Sequence, residues 1–251
     1  MKQDTSPLLS AADTKYIQQV VGTFLYYGRA LDYTMLSAIN TIATQQAMPT
    51  QLTMQRAQQL LDYAYTYAKV FVRFYASDMQ LEVDSDAAFL VLPNSKSRID
   101  GYFRLLHHQN SPHCCHVDNG PILVEVLTVK SVLTSAAEAE THGVFHNAKL
   151  VLPLVHMLKE MGHPQRHPPR IRTDNSTSCG FANNNIVLKR SKFWDLKLHW
   201  LRDKQSHTFF SVFWDKGNNN GADYFTKHHP TFHHRHIRKE RKYVRDFPTE
   251  S

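Results

Sequence analysis

QLEVDSDAAFLVL, residues 80–92, is the stretch on which the fold turns. Apolar and polar side chains alternate along its first half, the signature of a strand with two different faces. Glu82, Asp84 and Asp86 fall on one face; Leu81, Val83 and Ser85 fall on the other. Upstream, after a break at Ala76-Ser77-Asp78, KVFVRFY at 69–75 also reads as a strand. Downstream, residues 100–107 and 121–128 are two more strand candidates, separated by the polar loop HQNSPHCCHVDNG. The spacing predicts three or four consecutive antiparallel strands.

A long helix is expected next. Ser135 with Glu138 three residues on fits a capping box, and Val144, Ala148 and Val151 hold helical spacing as far as Pro153. A kink or a second helix is expected there. Pro168-Pro169 opens a short strand, RIRTD at 170–174, and NSTSCGFAN at 175–183 reads as a brief helix. Residues 190–204 are amphipathic, with Trp194, Leu198 and Leu201; TFFSVFW at 208–214 is a strand, and 219–227 a last helix. This order predicts an α/β fold with a mixed sheet flanked by helices.

The first 68 residues differ. Ile17, Val20, Val21, Phe24 and Leu25 recur at helical spacing, as do Ala57, Leu60, Leu61, Ala64 and Ala68, with a weaker run over Leu36–Ala43. Thr53 is a candidate cap for the third helix. The segment predicts a small helical packing unit with no charged or catalytic cluster.

The chain has 251 residues, 42% of them hydrophobic and 11% aromatic, enough for a sizeable core, which excludes a wholly disordered chain. No run of about 18 uncharged apolar residues occurs, so no membrane association is expected. MKQDTSPLLS lacks the apolar centre of a secretory signal. Three cysteines, two of them adjacent, make no disulfide framework. An intracellular location, cytoplasmic or nuclear, follows as the expectation. The net charge of +7 is uneven: residues 227–251 hold seven Lys/Arg against three Asp/Glu, or +4. A basic tail on a nearly balanced body suits a polyanionic partner such as nucleic acid. Residues 231–251 are expected to be poorly ordered on their own and to add salt-sensitive affinity for nucleic acid, a merely solvated tail being the bland alternative.

Four acids occupy the ends of predicted elements: Asp86, Glu140, Asp174 and Asp223. Gathered together they would repel one another unless hard cations such as Mg²⁺ neutralised them. Two such ions about 4 Å apart can drive phosphodiester hydrolysis. Periodicity alone does not bring the four together, and each is otherwise a surface residue, a cap or a helix-dipole partner.

The residues themselves carry a resemblance. SDAAF at 85–89, SAAEAE at 135–140, RTDNSTS at 172–178 and GADYFTKHHP at 221–230 resemble, in order, the four acidic motifs of a ribonuclease H domain. The similarity is to the domain ending the polyprotein of copia-type retrotransposons. LSAADTKYIQQVVGTFLYYGRALD at 9–32 is similar to the connection segment after the reverse transcriptase of such elements, and SKFWDLKLHWLRD at 191–203 to the segment between the third and fourth acids. The resemblance implies a five-stranded mixed sheet with helices on both faces, and division of the chain into a connection segment (1–68), a ribonuclease H-like domain (69–230) and a basic His-rich tail (231–251). It implies Mg²⁺-dependent endonucleolytic hydrolysis of the RNA strand of an RNA–DNA hybrid, Mn²⁺ being an alternative ion. Asp86, Glu140, Asp174 and Asp223 are the implied ligands, and a polymerase region is an implied partner. A catalytically silent remnant that binds nucleic acid or a polymerase is the competing expectation.

Two points stay open at this stage. Asp84 and Glu82 share the face of Asp86, and only the SDA match selects Asp86. Glu138 is assigned to the capping box, which leaves Glu140 as the ligand. The loop DKGNNNGAD before the fourth acid lacks the histidine found there in cellular ribonucleases H, leaving Lys216 as the one basic group in it. His113, Cys114, Cys115 and His116 are too crowded to reach one tetrahedral zinc together. Asn175, Ser176 and Thr177 are expected to cap the next helix or to touch the hybrid, and Arg235, Arg238 and Lys239 to contact phosphates. The three tryptophans are expected mainly in the core.

Overall fold

The computed structural model describes residues 4–107, 119–184, 192–227, 229–240 and 244–246. It divides into two compact units: Met1–Phe74 together with His229–Ser251, and Tyr75–His228.

The second unit is built on a five-stranded sheet. Its strands are β2 (Gln80–Leu92), β3 (Lys96–Leu106), β4 (Pro121–Thr128), β5 (Arg170–Thr173) and β6 (Ser211–Trp214); β1 belongs to the other unit. The order across the sheet is β4-β3-β2-β5-β6. β2, β3 and β4 run antiparallel as a meander; β5 pairs parallel to β2 and β6 parallel to β5. This is the mixed sheet expected from the alternation of strands and helices.

The sheet's two faces are made of different chemistry. Leu81, Val83, Phe103, Leu105, Ile171 and Val212 form one face. They pack on α4 (Ala136–Glu160) through Val144, Ala148, Val151 and Leu158, with Leu198 and Leu201 of α6 (Lys192–Ser206) completing the core. At about 25 cal/mol per Å² of apolar surface removed from water, this layer is the main source of stability in the unit. Asn147 of α4 donates to Ser85 Oγ and to the Asp100 carbonyl, both at 2.9 Å. Gly101 must be glycine there, because a Cβ would meet Asn147 Oδ1 at 2.2 Å.

The other face carries Glu82, Asp84, Asp86, Arg98, Asp100, Tyr102 and Arg104. Asp84, Asp86, Arg98 and Asp100 are almost wholly buried. The single turn α7 (Asp223–Thr226) lies against β2 and β3 here, with Phe225 stacked on Tyr102 at 6.1 Å. Asp84 pairs with Arg104 at 2.8 Å and Arg172 at 3.6 Å, and Glu82 with Arg172 at 2.8 Å.

Local structure departs from expectation at several points. α4 runs unbroken through Pro153, which lies on an exposed side of the helix. Ser135 caps α4 by accepting from the Glu138 N–H, but the Glu138 carboxylate accepts from Thr134 N and Oγ1, one residue before the cap. Thr53 is not the cap of the third helix. Thr50 is, and Thr53 completes the reciprocal box.

The first unit contains α1 (Ala11–Ala30), α2 (Leu36–Ala43) and α3 (Gln51–Thr66), packed through Ile17, Val20, Val21, Ile39, Ala57 and Leu60. The C-terminal segment belongs to this unit. Thr231–Glu240 forms α8, where the sequence predicts a loose tail. The basic composition hid two buried positions, Ile237 and Arg238. Arg238 Nη1 donates to Asp32 Oδ2 at 2.9 Å and Tyr63 Oη at 2.8 Å, and its guanidinium stacks 4.5 Å over the Tyr67 ring. Likewise β1 (Val70–Val72) does not join the main sheet; it pairs antiparallel with β7 (Val244–Asp246). Among the described residues no helix is long and apolar enough to cross a membrane.

Candidate metal centre

Asp86 stands on β2 opposite Asp100 of β3. Glu140 lies in the second turn of α4, and Asp174 follows the last residue of β5. One ligand oxygen from each of Asp86, Glu140 and Asp174 lies within 4.8 Å of the others. Three elements distant in sequence are thus brought to one point by the β2–β5 pairing and the seating of α4 on the sheet. Asp223 opens α7, and its charge acts on both Asp86 and Asp174. Its carboxylate is held by Lys227 Nζ, one turn further along.

Each of the three acids is fixed by a neighbour, Asp174 through its backbone. Thr226 Oγ1 donates to Asp86 Oδ2 at 2.6 Å. The Ala87 N–H donates to Glu140. The Trp214 indole N–H donates to the Asp174 carbonyl at 2.9 Å. Gly217 leaves space beside Asp174, where a Cβ would come within 2.9 Å of Oδ2. The loop before Asp223 is pinned to the charged face: Gly221 N–H donates to Asp84 Oδ2 at 2.9 Å, Asn220 Nδ2 to the Ser85 carbonyl at 3.0 Å, and Arg172 to the Asn219 carbonyl.

Burial and crowding leave the acids reluctant to ionise. Burial, then the charges of Asp174 and Asp223, push Asp86 up to about 7 against the pull of the Thr226 hydrogen bond. Burial, then Asp86 and Asp174, push Glu140 up to about 9. Asp174 is raised by burial and by Asp223. Behind them Asp100 is raised well above the carboxylate range, by burial and then by Asp86, with Arg98 opposing. Neither Asp100 oxygen, nor Glu140 Oε2, accepts a hydrogen bond from the described residues. Lys227 opposes the rise at Asp86, Glu140 and Asp174 alike.

This donor set fits a hard divalent cation. It is all carboxylate oxygen, closely spaced, and one buried oxygen lacks a donor. The structure also separates Asp84 from Asp86: Asp84 is held by two arginines and a backbone N–H, while Asp86 faces the other acids. Asn175 caps α5 (Ser176–Ala182), accepting from Ser178 N at 2.9 Å. Ser176 is exposed and Thr177 half-buried; Arg235 is exposed on α8. Arg238 is not available to phosphates, because Asp32 holds it in the interior. The side chain of Lys239 and the residues His113–Cys114–Cys115–His116 lie outside the described residues, as does the side chain of Trp194. Trp200 packs in the core between Phe145 and Phe210, whereas Trp214 is half exposed.

Sequence reasoning missed Thr226 and Lys227. Both follow the fourth acid in GADYFTKHHP. Lys227, four residues after Asp223 on a helical turn, was findable as an i, i+4 pair. Thr226 was not, since its partner is 140 residues away.

No family model matches the chain. The Gag-Pol polyproteins of the transposons Ty1-ER2 and Ty1-H of Saccharomyces cerevisiae (strain S288c) are 24% identical to it over 217 residues, 84% of this chain. The chain spans only 12% and 11% of those two relatives' length. Among solved structures, LC11-RNase H1, isolated from compost by a metagenomic approach, covers 59% of this chain and 92% of its own at 10% identity, with a TM-score of 0.43. A foamy viral protease–reverse transcriptase in complex with dsDNA covers 86% of this chain and 40% of its own at 13% identity, with a TM-score of 0.38. Overlaps of that quality add no weight to the strand order itself. Over those 217 residues the chain is similar to retrotransposon Gag-Pol polyproteins, and its five-stranded mixed sheet flanked by helices, with the acidic motifs in order, supports a ribonuclease H-like region of such a polyprotein.

Proposed function

We propose that the chain is a divalent-metal-dependent ribonuclease H that cleaves the RNA strand of RNA–DNA hybrids. The observation that carries this reading is the convergence of Asp86, Glu140 and Asp174 within 4.8 Å, buried, with Glu140 Oε2 lacking a donor. Asp86, Glu140 and Asp174 would hold one cation, and Asp223 would complete the site for a second. Bound Mg²⁺ or Mn²⁺ would supply Lewis-acid charge at the phosphodiester. The protein's own part is preorganisation. Thr226 fixes one oxygen of Asp86 and leaves the other to a ligand. The Ala87 N–H aims Glu140, and the pinned loop 217–222 sets the start of α7, hence Asp223. Recognition of the hybrid would rest on groove shape and the 2′-hydroxyl rather than on base sequence. The exposed Ser176 and Arg235 are the candidate contacts that remain accessible. The helices of residues 1–68 are read as a connection segment that meets a polymerase region.

The test is cleavage of an end-labelled RNA–DNA hybrid with Mg²⁺, with Mn²⁺ and with EDTA. Metal-dependent cuts in the RNA strand, abolished in Asp86→Asn, are expected. Tight hybrid binding with no cleavage under any metal would select the silent remnant instead.

A further inference from the structure

The loop ahead of the fourth acid offers no histidine, yet a cation stands directly behind that acid. Lys227 closes α7 one turn after Asp223, and its Nζ is bonded to the Asp223 carboxylate. Its side chain is more than half exposed, so it can leave without unfolding anything. The adjacent Thr226 is anchored in the interior on Asp86, so the backbone that carries Lys227 stays in place whether its ammonium is in or out. Besides Asp223, the ammonium acts on Asp86, Glu140 and Asp174, the three acids that converge. Arg104 and Arg172, on the same sheet face, lean on Glu82, Asp84 and Asp215 instead.

We propose that Lys227 is a resident counter-cation of the carboxylate cluster: it neutralises Asp223 and its neighbours when no metal is bound, and must swing away for the second divalent ion to load. Resting on the metal-dependent reading above, this makes Lys227 a competitor for the metal site. The cluster is never left bare, and the same ammonium is placed to displace a metal ion once the product phosphate stops holding it. Lys227 is therefore a positioning residue whose effect is carried by charge.

The experiment is titration of MnCl₂ into the metal-free full chain by calorimetry, without nucleic acid, for wild type, Lys227→Met and Lys227→Arg. Removing one positive charge beside a dication should tighten Mn²⁺ binding about tenfold. Lys227→Arg should stay within about threefold of wild type, since charge is kept. The advantage of Lys227→Met should shrink as salt rises from about 0.05 M to 0.5 M. Thermal melts supply the second readout: Lys227→Met should melt below wild type in EDTA, and the gap should close or invert in saturating Mn²⁺. A wild type that binds Mn²⁺ with an affinity unchanged in Lys227→Met would overturn the role of Lys227 alone. A wild type that binds no Mn²⁺ would overturn the metal-dependent reading, and this proposal with it. A merely structural lysine would lower the melting temperature equally with and without metal.

Discussion

One strand, β2, serves two unlike layers. Toward α4 it presents Leu81 and Val83, which are held by the exclusion of water and are indifferent to pH and salt. Toward α7 it presents Glu82, Asp84 and Asp86, three acids in a buried layer. Two of them are matched by arginines, while Asp86 is left among other acids. The difference shows how a fold places a cluster that does not favour its own formation. The apolar layer fixes the sheet and the helix, the arginine pairs fix the loop before α7, and Asp86, Glu140 and Asp174 are carried into proximity by elements stabilised elsewhere. Removing a partner of Asp84 breaks structure; removing Asp86 relieves repulsion.

The largest effect should come from the unmatched acid. Asp86→Asn should lower metal-dependent hybrid cleavage by about a thousandfold or more, measured by single-turnover kinetics, while leaving the fold intact. On the apolar face, Phe103→Ala should cost about 3–5 kcal/mol of stability in urea unfolding, because the cavity lies under α4. Asp84→Ala should cost a similar ~3 kcal/mol, since it removes the 2.8 Å partner of buried Arg104 and the acceptor of the Gly221 N–H. Two residues away, Asp86→Asn should have the opposite sign and stabilise the protein in EDTA at pH 8. The same sign appears in the pH dependence. Asp86 and Glu140 hold protons in the folded state that the unfolded chain has already released, with folded values of about 7 and about 9. The metal-free protein should therefore lose stability as pH rises from the ordinary carboxylate range through those values. A melting temperature flat between pH 5 and pH 9 in EDTA would mean that the acids are not crowded. The smallest effect belongs to Asn175→Ala, about 1 kcal/mol from loss of the α5 cap, with metal affinity retained.

Much of this contrast was legible in residues 80–92. Period two places Asp84 and Asp86 on one face and Val83 on the other, and no tertiary information is needed for that. What separates Asp84 from Asp86 is supplied by Arg104, Arg172 and Gly221, which lie 20, 88 and 137 positions further on. No local pattern reports partners so distant. The motif match chose Asp86 where spacing did not, and the structure places that residue, with Glu140 and Asp174, in the cluster. The failures share a cause. The segment after Pro230 reads as a solvated tail because charge dominates it, but a single arginine with an acid 206 positions upstream is enough to dock a helix. KVFVRFY reads as a first sheet strand because alternation carries no information about which strand will be its neighbour. Pro153 reads as a break because the sequence does not show that its side of α4 is wet.

The pairing of Arg238 with Asp32 has a consequence for biosynthesis. A ribosome releases Asp32, Thr34 and Tyr63 first, then the whole of the sheet unit, and only afterwards the arginine that satisfies them. At roughly 5–20 residues per second, about 10–40 s separate the two ends of that ion pair. Within that interval the sheet unit is synthesised to its last residue, ahead of Arg238, whereas the older N-terminal helices wait for the ion-pair partner of Asp32. The part of the chain made earliest is thus the part finished last, and a nascent chain stalled before residue 238 would display that unfinished helical surface to chaperones.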